Sequence, residues 1–492
     1  MVSDLEKAKD PQKLRRIAID PVSRVEGHGK VTILLDDQHR VHQVRLHIVE
    51  FRGFERFIQG RPYWEVPVMV QRLCGICPVS HHLAASKALD HVVGAARVPD
   101  TADRVRRLMH YGQILQSHAL HFYHLSSPDL LFGFGSDPEQ RNIVGVLAAY
   151  PDIARQGVML RKFGQEAIRI TAGKRVHGTG SVPGGVNKAV SAADRDELAR
   201  ALPQVLDWAQ QGVRLVAELH LANRRAYDEF GTVSSSLMSL VGRDGKLDLY
   251  DGVLRARDAD GTLIFDGVEP AEYHTQLREN VRSWSYMKFP FIQSRGADEG
   301  WYKVGPLARV QNCDAIGTPL AEAARQELLA LAPGRLLHAP LMFHWARMIE
   351  LLHAAEMIGL LLDDPALQSG TLTASGPRAT SGVGIIEAPR GTLIHHYEVD
   401  SQDLVTMCNL IVSTTHNNQA MNEAIRQVAR QHLDGHEPTE GLLNHIEVAI
   451  RAFDPCLSCA THALGKMPLA VELVAPDGRV VQRLVRDAEH VG

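Results

Sequence analysis

A chain of 492 residues with 45% hydrophobic and 22% charged side chains has ordinary globular composition, with enough apolar surface for a large buried core. Its 53 basic against 57 acidic side chains leave a formal net charge of −4, which speaks against nucleic acid or an anionic membrane as a partner. No run approaches the roughly 20 apolar residues that span a bilayer, and residues 1–16 lack the apolar stretch of a secretory signal, so a soluble, cytoplasmic protein with a flexible 1–16 tail is expected.

After that tail, KVTILLDDQHRVHQVRLHIVEF alternates apolar and polar residues on both sides of DDQH, which predicts a β-hairpin near the N-terminus. A first thiol pair follows in QRLCGICPVSHH. The stretch TADRVRRLMHYGQILQSHALHFYHL, with Thr101 as its N-cap, has apolar residues at helical spacing. AADRDELARALPQVLDWAQQGVRLVAELHLANRRAYDEF carries a longer helical pattern with a break at Pro203. Between about Gly231 and Gly317 short strand-like runs and Gly-Asp turns predict a small β-rich insertion. HWARMIELLHAAEMIGLLLDD and TEGLLNHIEVAIRAFD supply two more helices, and LAVELVAPDGRVVQRLV reads as a last hairpin around a P-D-G turn. The expected fold is mainly α (α+β), a core of long helices with an N-terminal β-hairpin and a small β-rich insertion.

Four of the six cysteines form two C-x-x-C pairs at opposite ends of the chain, Cys74 with Cys77 and Cys456 with Cys459. One such pair is a weak signal, but two in apolar helical settings point to a shared four-thiolate site. Soft thiolates select nickel, zinc, copper(I) or iron, and a closed structural zinc is the bland alternative. A thioredoxin-like pair would need a βαβ context that neither motif has. Glu26 in RVEGHGK and Arg390 in EAPRG sit among Gly and Pro residues that force tight turns. A carboxylate beside a metal thiolate can relay protons, and a guanidinium over an open metal position can stabilise negative charge. His110, His118, His121 and His124 have mixed helical spacing and read as core or surface residues. Glu350 with His353 is a single E-x-x-H with no second copy, so di-iron chemistry is rejected. Nor does any Gly-rich stretch follow a strand and open a helix, so no dinucleotide site is expected here.

IDPVSRVEGHGK, EFRGFERFIQGRPYWEVPVMVQRLCGICPVSHHLAASKALD, HGTGSVPGGVN, GVGIIEAPRGTLIHHY and DPCLSCATHALG occur in the order found in large subunits of [NiFe] hydrogenases, and the pattern resembles the cytoplasmic NAD-reducing (bidirectional) type. The resemblance implies that Cys74, Cys77, Cys456 and Cys459 bind nickel and that Cys77 and Cys459 bridge to an iron carrying carbon monoxide and cyanide. It makes His81 a hydrogen-bond donor to a bridging sulfur, Glu26 the first carboxylate of the proton path and Arg390 the guanidinium over the open position. Pro389 would line the diatomic-ligand pocket and Asp454 would hold Arg390 or the metal pocket in place. Glu55 and His462 match positions that bind magnesium in relatives. H2 would be split heterolytically, its proton leaving through Cys459 to Glu26. Cys313 and Cys408 are too few for an iron–sulfur cluster. The resemblance therefore implies diaphorase partners that carry flavin and NAD, together with a cluster-bearing small subunit.

The same resemblance divides the chain into the tail, a catalytic domain at 17–462 and a C-terminal extension at 463–492. A maturation endoprotease would remove that extension after nickel-insertion factors have acted. The alternatives are an F420-reducing or ferredoxin-linked hydrogenase subunit, the quinone-site relative in respiratory complex I, against which the four thiols argue, and a zinc-stapled scaffold without catalysis.

Overall fold

Strand β1 (Arg15–Ile19) pairs antiparallel with β2 (Gly29–Leu35), which pairs with β3 (Val41–Ile48) across the DDQH turn. Asp36 shapes that turn by accepting the main-chain N–H of Gln38 and of Arg40 at 2.9 and 2.8 Å. This computed structural model describes residues 14–461 and, beyond them, the backbone of two further strands. Arg15 and Arg16 are paired with Leu35 and Leu34. On an exposed edge strand the register comes from backbone pairing, which charged side chains hide from a hydrophobicity pattern.

Helices dominate the chain beyond β3. After the short α1 (Phe54–Ile58), α2 (Pro78–Val92) starts directly behind Cys77 with Pro78 in its first position, where the missing N–H is no loss. Next is α3 (Asp100–Leu120), with Asp100 and Asp103 in its first turn, where the helix dipole favours acids. Thr101 is not its cap: Pro99 holds that position, and the Thr101 hydroxyl donates to the Ser369 carbonyl at 2.7 Å. Helix α4 (Pro151–Ala172) touches α3 backbone to backbone. A Cβ on Gly164 would lie 2.6 Å from the Gly112 carbonyl oxygen, so no other residue allows this approach. Helix α5 (Ala192–Ala222) runs 31 residues straight through Pro203, against the predicted break. Pro203 lies on the exposed side, where water can take the hydrogen bond it removes. The opposite face buries Leu198, Val205, Ala209, Val213 and Val216, which keeps the helix whole.

The β-rich insertion contains β4 (Ser236–Val241), β5 (Val253–Arg257), β6 (Leu263–Val268), the antiparallel pair β7 (Leu277–Asn280) and β8 (Phe289–Ile292), and β9 (Tyr302–Lys303). Its main sheet has the order β9-β4-β5-β6, with β9 parallel to β4. The chain returns to the helical body through α6 (Pro306–Asn312) and α7 (Met342–Asp363). Helix α7 is buried along most of its length, polar His344, Arg347, Glu350 and His353 included.

The sequence patterns did not predict the next unit, an antiparallel sheet of β10 (Ser381–Ala388), β11 (Gly391–Val399) and β12 (Val405–Ile411). Seven of the eight β10 residues are buried, so the two-residue alternation that marks a half-exposed strand is absent. Helix α2 packs on this sheet. Helices α8 (Asn418–His432) and α9 (Glu440–Ala452) complete the body, α9 capped by the Thr439 hydroxyl oxygen, which accepts from the Leu442 N–H. Farther on, β13 (Leu469–Val474) and β14 (Val480–Arg486) pair antiparallel, as the P-D-G pattern predicts. Among the described residues no helix is long and apolar enough to cross a membrane.

Candidate metal centre

The two thiol pairs meet in the interior although 382 residues separate them. Cys74 follows a short 3-10 turn, and its sulfur accepts the main-chain N–H of Ile76 and of Cys77 at 3.2 and 3.3 Å. Cys77 stands at the start of α2. On the other side, the Cys456 N–H donates to the Thr414 hydroxyl at 2.9 Å, and a 3-10 turn over Ser458–Ala460 returns Cys459 to the same point. The sulfurs lie 3.2 Å apart for Cys74 and Cys456, 2.8 Å for Cys456 and Cys459, and 3.9 Å for Cys77 and Cys459. All four fall within 4.8 Å of one another, each is buried, and none is in a disulfide. Burial by itself would raise the Cys74 thiol, yet hydrogen bonds from the other three thiols and the charge of Arg390 hold it well below its usual value. Burial and the other three thiols push Cys456 up, and burial with Cys74 and Cys77 pushes Cys459 up against the lowering effect of its hydrogen bond with Cys456. The four thiols therefore share their protons, and a bound metal would take them as thiolates.

Glu26 reaches this group through its own main chain. It forms a parallel bridge with Cys456, and the Leu457 N–H donates to the Glu26 carbonyl at 2.9 Å. The glycine of RVEGHGK is required here: Gly27 has φ +82°, and a Cβ would sit 2.6 Å from the Ser458 nitrogen. The Glu26 carboxylate accepts from the Cys456 thiol at 2.9 Å and from the Ser458 N–H at 3.1 Å. Burial, then the neighbouring Cys74, raise it above the usual carboxylate range. The sequence reading routed the proton through Cys459. Glu26 lies on Cys456, whereas the Cys459 sulfur faces the Leu73 carbonyl at 3.6 Å, because the main-chain bridge fixes which thiol the carboxylate meets.

Arg390 occupies the tip of the β10–β11 hairpin. Its Nε donates to the Asp454 carbonyl at 2.7 Å and its Nη2 to the Asp454 carboxylate at 3.1 Å, while its buried Nη1 has no protein partner among the described residues. Ala388, Pro389, Leu393 and Val412 line a small cavity that Arg390 shares with Cys77 and Cys456. His81 borders the same cavity; its Nδ1 lies 3.1 Å from His395 Nε2, and the Tyr397 hydroxyl in turn lies 2.6 Å from His395 Nδ1. Burial pushes His81 down to about 4, so it is a neutral imidazole at pH 7. The donor chemistry fits a soft-metal centre with small ligands: four thiols, an unpaired guanidinium N–H and an apolar wall in one enclosed space.

The remaining expected residues fall elsewhere. Both Glu55 carboxylate oxygens lie against the Lys288 ammonium, at 3.2 and 3.4 Å, and one accepts the Leu410 N–H at 2.9 Å. Lys288 also meets Glu279 at 3.3 Å, so in this arrangement Glu55 holds an ammonium. His462 lies outside the described residues. Histidines 110, 118 and 121 are core residues, with His118 donating to Glu350 at 2.9 Å. His353 pairs with Thr318, not with a metal partner of Glu350. Sequence reasoning missed Thr414, His395 and Arg309, whose surroundings carry no motif of their own.

Comparison with known proteins agrees with this geometry. A family model described as nickel-dependent hydrogenase matches residues 52–131 and 249–462, and one described as HoxL-like matches residues 16–51. The chain is 47% identical to the NAD-reducing hydrogenase HoxS subunit beta of Cupriavidus necator, over 96% of this chain and 100% of that protein. It is 43% identical to a chain of the F420-non-reducing hydrogenase vhu of Methanocaldococcus jannaschii, over 84% of this chain and 99% of that one. A crystal structure of an NAD+-reducing [NiFe]-hydrogenase in the H2-reduced state superposes with a TM-score of 0.90 at 58% identity, covering 91% of this chain and 99% of that chain.

Proposed function

Because the chain belongs to the nickel-dependent hydrogenase family, we propose that it is the catalytic large subunit of an NAD-reducing hydrogenase, oxidising H2 and reducing protons. The observation that carries the reading is the enclosed thiol quartet with a carboxylate on one sulfur and an unpaired guanidinium N–H on the adjoining cavity. Cys74, Cys77, Cys456 and Cys459 would hold the nickel–iron pair. When bound, the metal pair supplies Lewis-acid polarisation of H2 and accepts its electrons.

The chain's own residues do the rest. Cys456 passes a proton to Glu26, whose proton affinity is raised by burial. The free Nη1 of Arg390 offers a hydrogen bond to a small ligand in the cavity, and Asp454 fixes the guanidinium's direction. Neutral His81, tied to His395, supports the wall beside Cys77. Ala388, Pro389, Leu393 and Val412 keep water away.

Cys313 and Cys408 are the only cysteines left, so electrons leave through clusters on a small partner chain and reach NAD on flavin-bearing diaphorase partners. A cytoplasmic location follows from an NAD-linked reaction. Residues from about Ala463 form an extension that a maturation endoprotease removes, so that the Cys456–Cys459 arm closes over the metal. Nickel, iron and zinc analysis of the purified complex, with H2-dependent NAD reduction, tests the reading. Nickel in the complex, with iron in excess over it because of the clusters, and NADH formation support it, and zinc with no H2 chemistry refutes it. If the mass of the active subunit includes Gly492, the processing part fails.

A further inference from the structure

Arg390 and Pro389 are the two turn residues of the β10–β11 hairpin, since Ala388 pairs directly with Gly391. Two-residue hairpins favour turn types I′ and II′, which need positive φ at the first turn residue. The ring of Pro389 forbids that conformation, and Arg390 does not adopt positive φ either. The turn that aims the guanidinium at the thiols is therefore one that paired strands do not stabilise by themselves.

Something outside the hairpin holds it. Arg309, on α6, is completely buried, and all five of its N–H donors are engaged. Nη1 donates to the Ala388 carbonyl at 2.6 Å and Nη2 to the Pro389 carbonyl at 3.1 Å, the two carbonyls immediately before Arg390. Its remaining donors are anchored to acids: Nε and Nη2 to the Glu350 oxygens at 2.6 and 2.5 Å, and Nη1 to Glu387 at 3.0 Å. The acids are themselves fixed. Glu350 accepts from His118, and Glu387 from the Leu240 N–H and the Thr392 hydroxyl, both at 2.7 Å. A rigid fork thus ties helix α7, strand β10 and the catalytic turn into one unit. A single lysine, with three donors on a flexible stem, cannot reproduce it.

We propose that Arg309 is a positioning residue for hydrogen activation, which clamps the Pro389–Arg390 turn and so sets where the Arg390 guanidinium and the Pro389 wall stand relative to the four thiols. Asp454 restrains the side chain of Arg390 and Arg309 restrains its main chain, and both are needed for one orientation. The proposal rests on the hydrogenase reading for its catalytic consequence, but the clamp itself is testable without it.

The test is R309K in the intact complex, beside E350Q, which keeps the shape of the acid anchor while weakening the fork. Hydrogen–deuterium exchange of the segment 386–393 is followed by mass spectrometry, together with infrared bands of metal-bound carbon monoxide and cyanide and turnover with H2. Exchange in that segment should accelerate about tenfold in R309K while α7 keeps its protection. The cyanide bands should shift at unchanged nickel content, and turnover should fall about 100-fold, the scale on which a misplacement of about 1 Å acts. E350Q should show the same changes, smaller. If R309K does not assemble, E350Q alone decides, by the same local exchange and band shift. Wild-type exchange and bands in the assembled variants overturn the proposal, as does a uniform loss of protection with unshifted bands, which marks a purely structural residue. Absence of such bands from the wild-type complex would instead overturn the hydrogenase reading and leave the exchange result to judge the clamp.

Discussion

Cys74 and Cys77 stand at the mouth of a 15-residue helix, Pro78–Val92, whose buried side chains pack against a three-stranded sheet. Cys456 and Cys459 stand on an irregular stretch with one 3-10 turn, placed by contacts from elsewhere: the Thr414 hydroxyl, the main chain of Glu26 and the close approach of Gly27. The same four-letter spacing is thus built in two ways. The first arm is fixed by its own helix, whereas the second is shaped by its neighbours. That contrast separates local from distant support. It also says where substitutions should act at a distance and where they should not.

The largest effect should come from the thiols themselves. Cys459→Ala should abolish H2 oxidation and strip iron and nickel from the purified protein, and Cys77→Ala should do the same, which metal analysis checks. Retention of nickel by either variant would break the shared-site account. Next is Glu26→Gln, which keeps the hydrogen-bonding shape but cannot cycle a proton. We expect turnover to fall by about 100-fold or more with metal content unchanged, on the scale of general acid–base contributions. Proton–deuterium exchange in H2 gas is the direct readout.

Gly27→Ala separates the two arms. Its Cβ would collide with Ser458 in a left-handed backbone, a strain of about 1–3 kcal/mol. Nickel should be retained less well and the midpoint of thermal unfolding lowered by a few degrees. A Gly75→Ala change in the first arm, where nothing lies within 4 Å of the new Cβ, should be almost silent.

The smallest single effect concerns acid stability. His110 and His118 are fully buried and pushed down to about 4, mainly by burial. Between pH 6.5 and about 4 the unfolded chain binds protons that these side chains refuse in the fold. Stability should therefore hold above about pH 6.5 and fall as pH drops through that window. His110→Gln should flatten part of that fall in denaturant titrations at about pH 5 against about pH 7. A slope equal to the parent's would contradict the burial argument.

How much of this was legible in the sequence depends on the kind of contact involved. The N-terminal hairpin was visible because Asp36 makes a local turn between half-exposed strands. The β10–β12 sheet was not, because strands buried on both faces lose their alternation. Pro203 misled, since its lost hydrogen bond is tolerated on an exposed face while packing of the opposite face holds the helix. At the site, the spacing and residue types exposed the four thiols, Glu26 and Arg390. The assignment of Glu26 to Cys456 and not to Cys459 required the bridge between residues 430 positions apart, which no local pattern encodes. Arg309 was invisible for the same reason, as its partners come from segments distant in the chain.

The central claim is that the four thiols hold a nickel–iron pair with diatomic ligands, and the most direct measurement is an infrared spectrum of the purified complex in the region of metal-bound carbon monoxide and cyanide. The account predicts one carbon monoxide band and cyanide bands that move when H2 is admitted. A fully metal-loaded complex with no bands there would contradict it and leave the quartet as a structural zinc site.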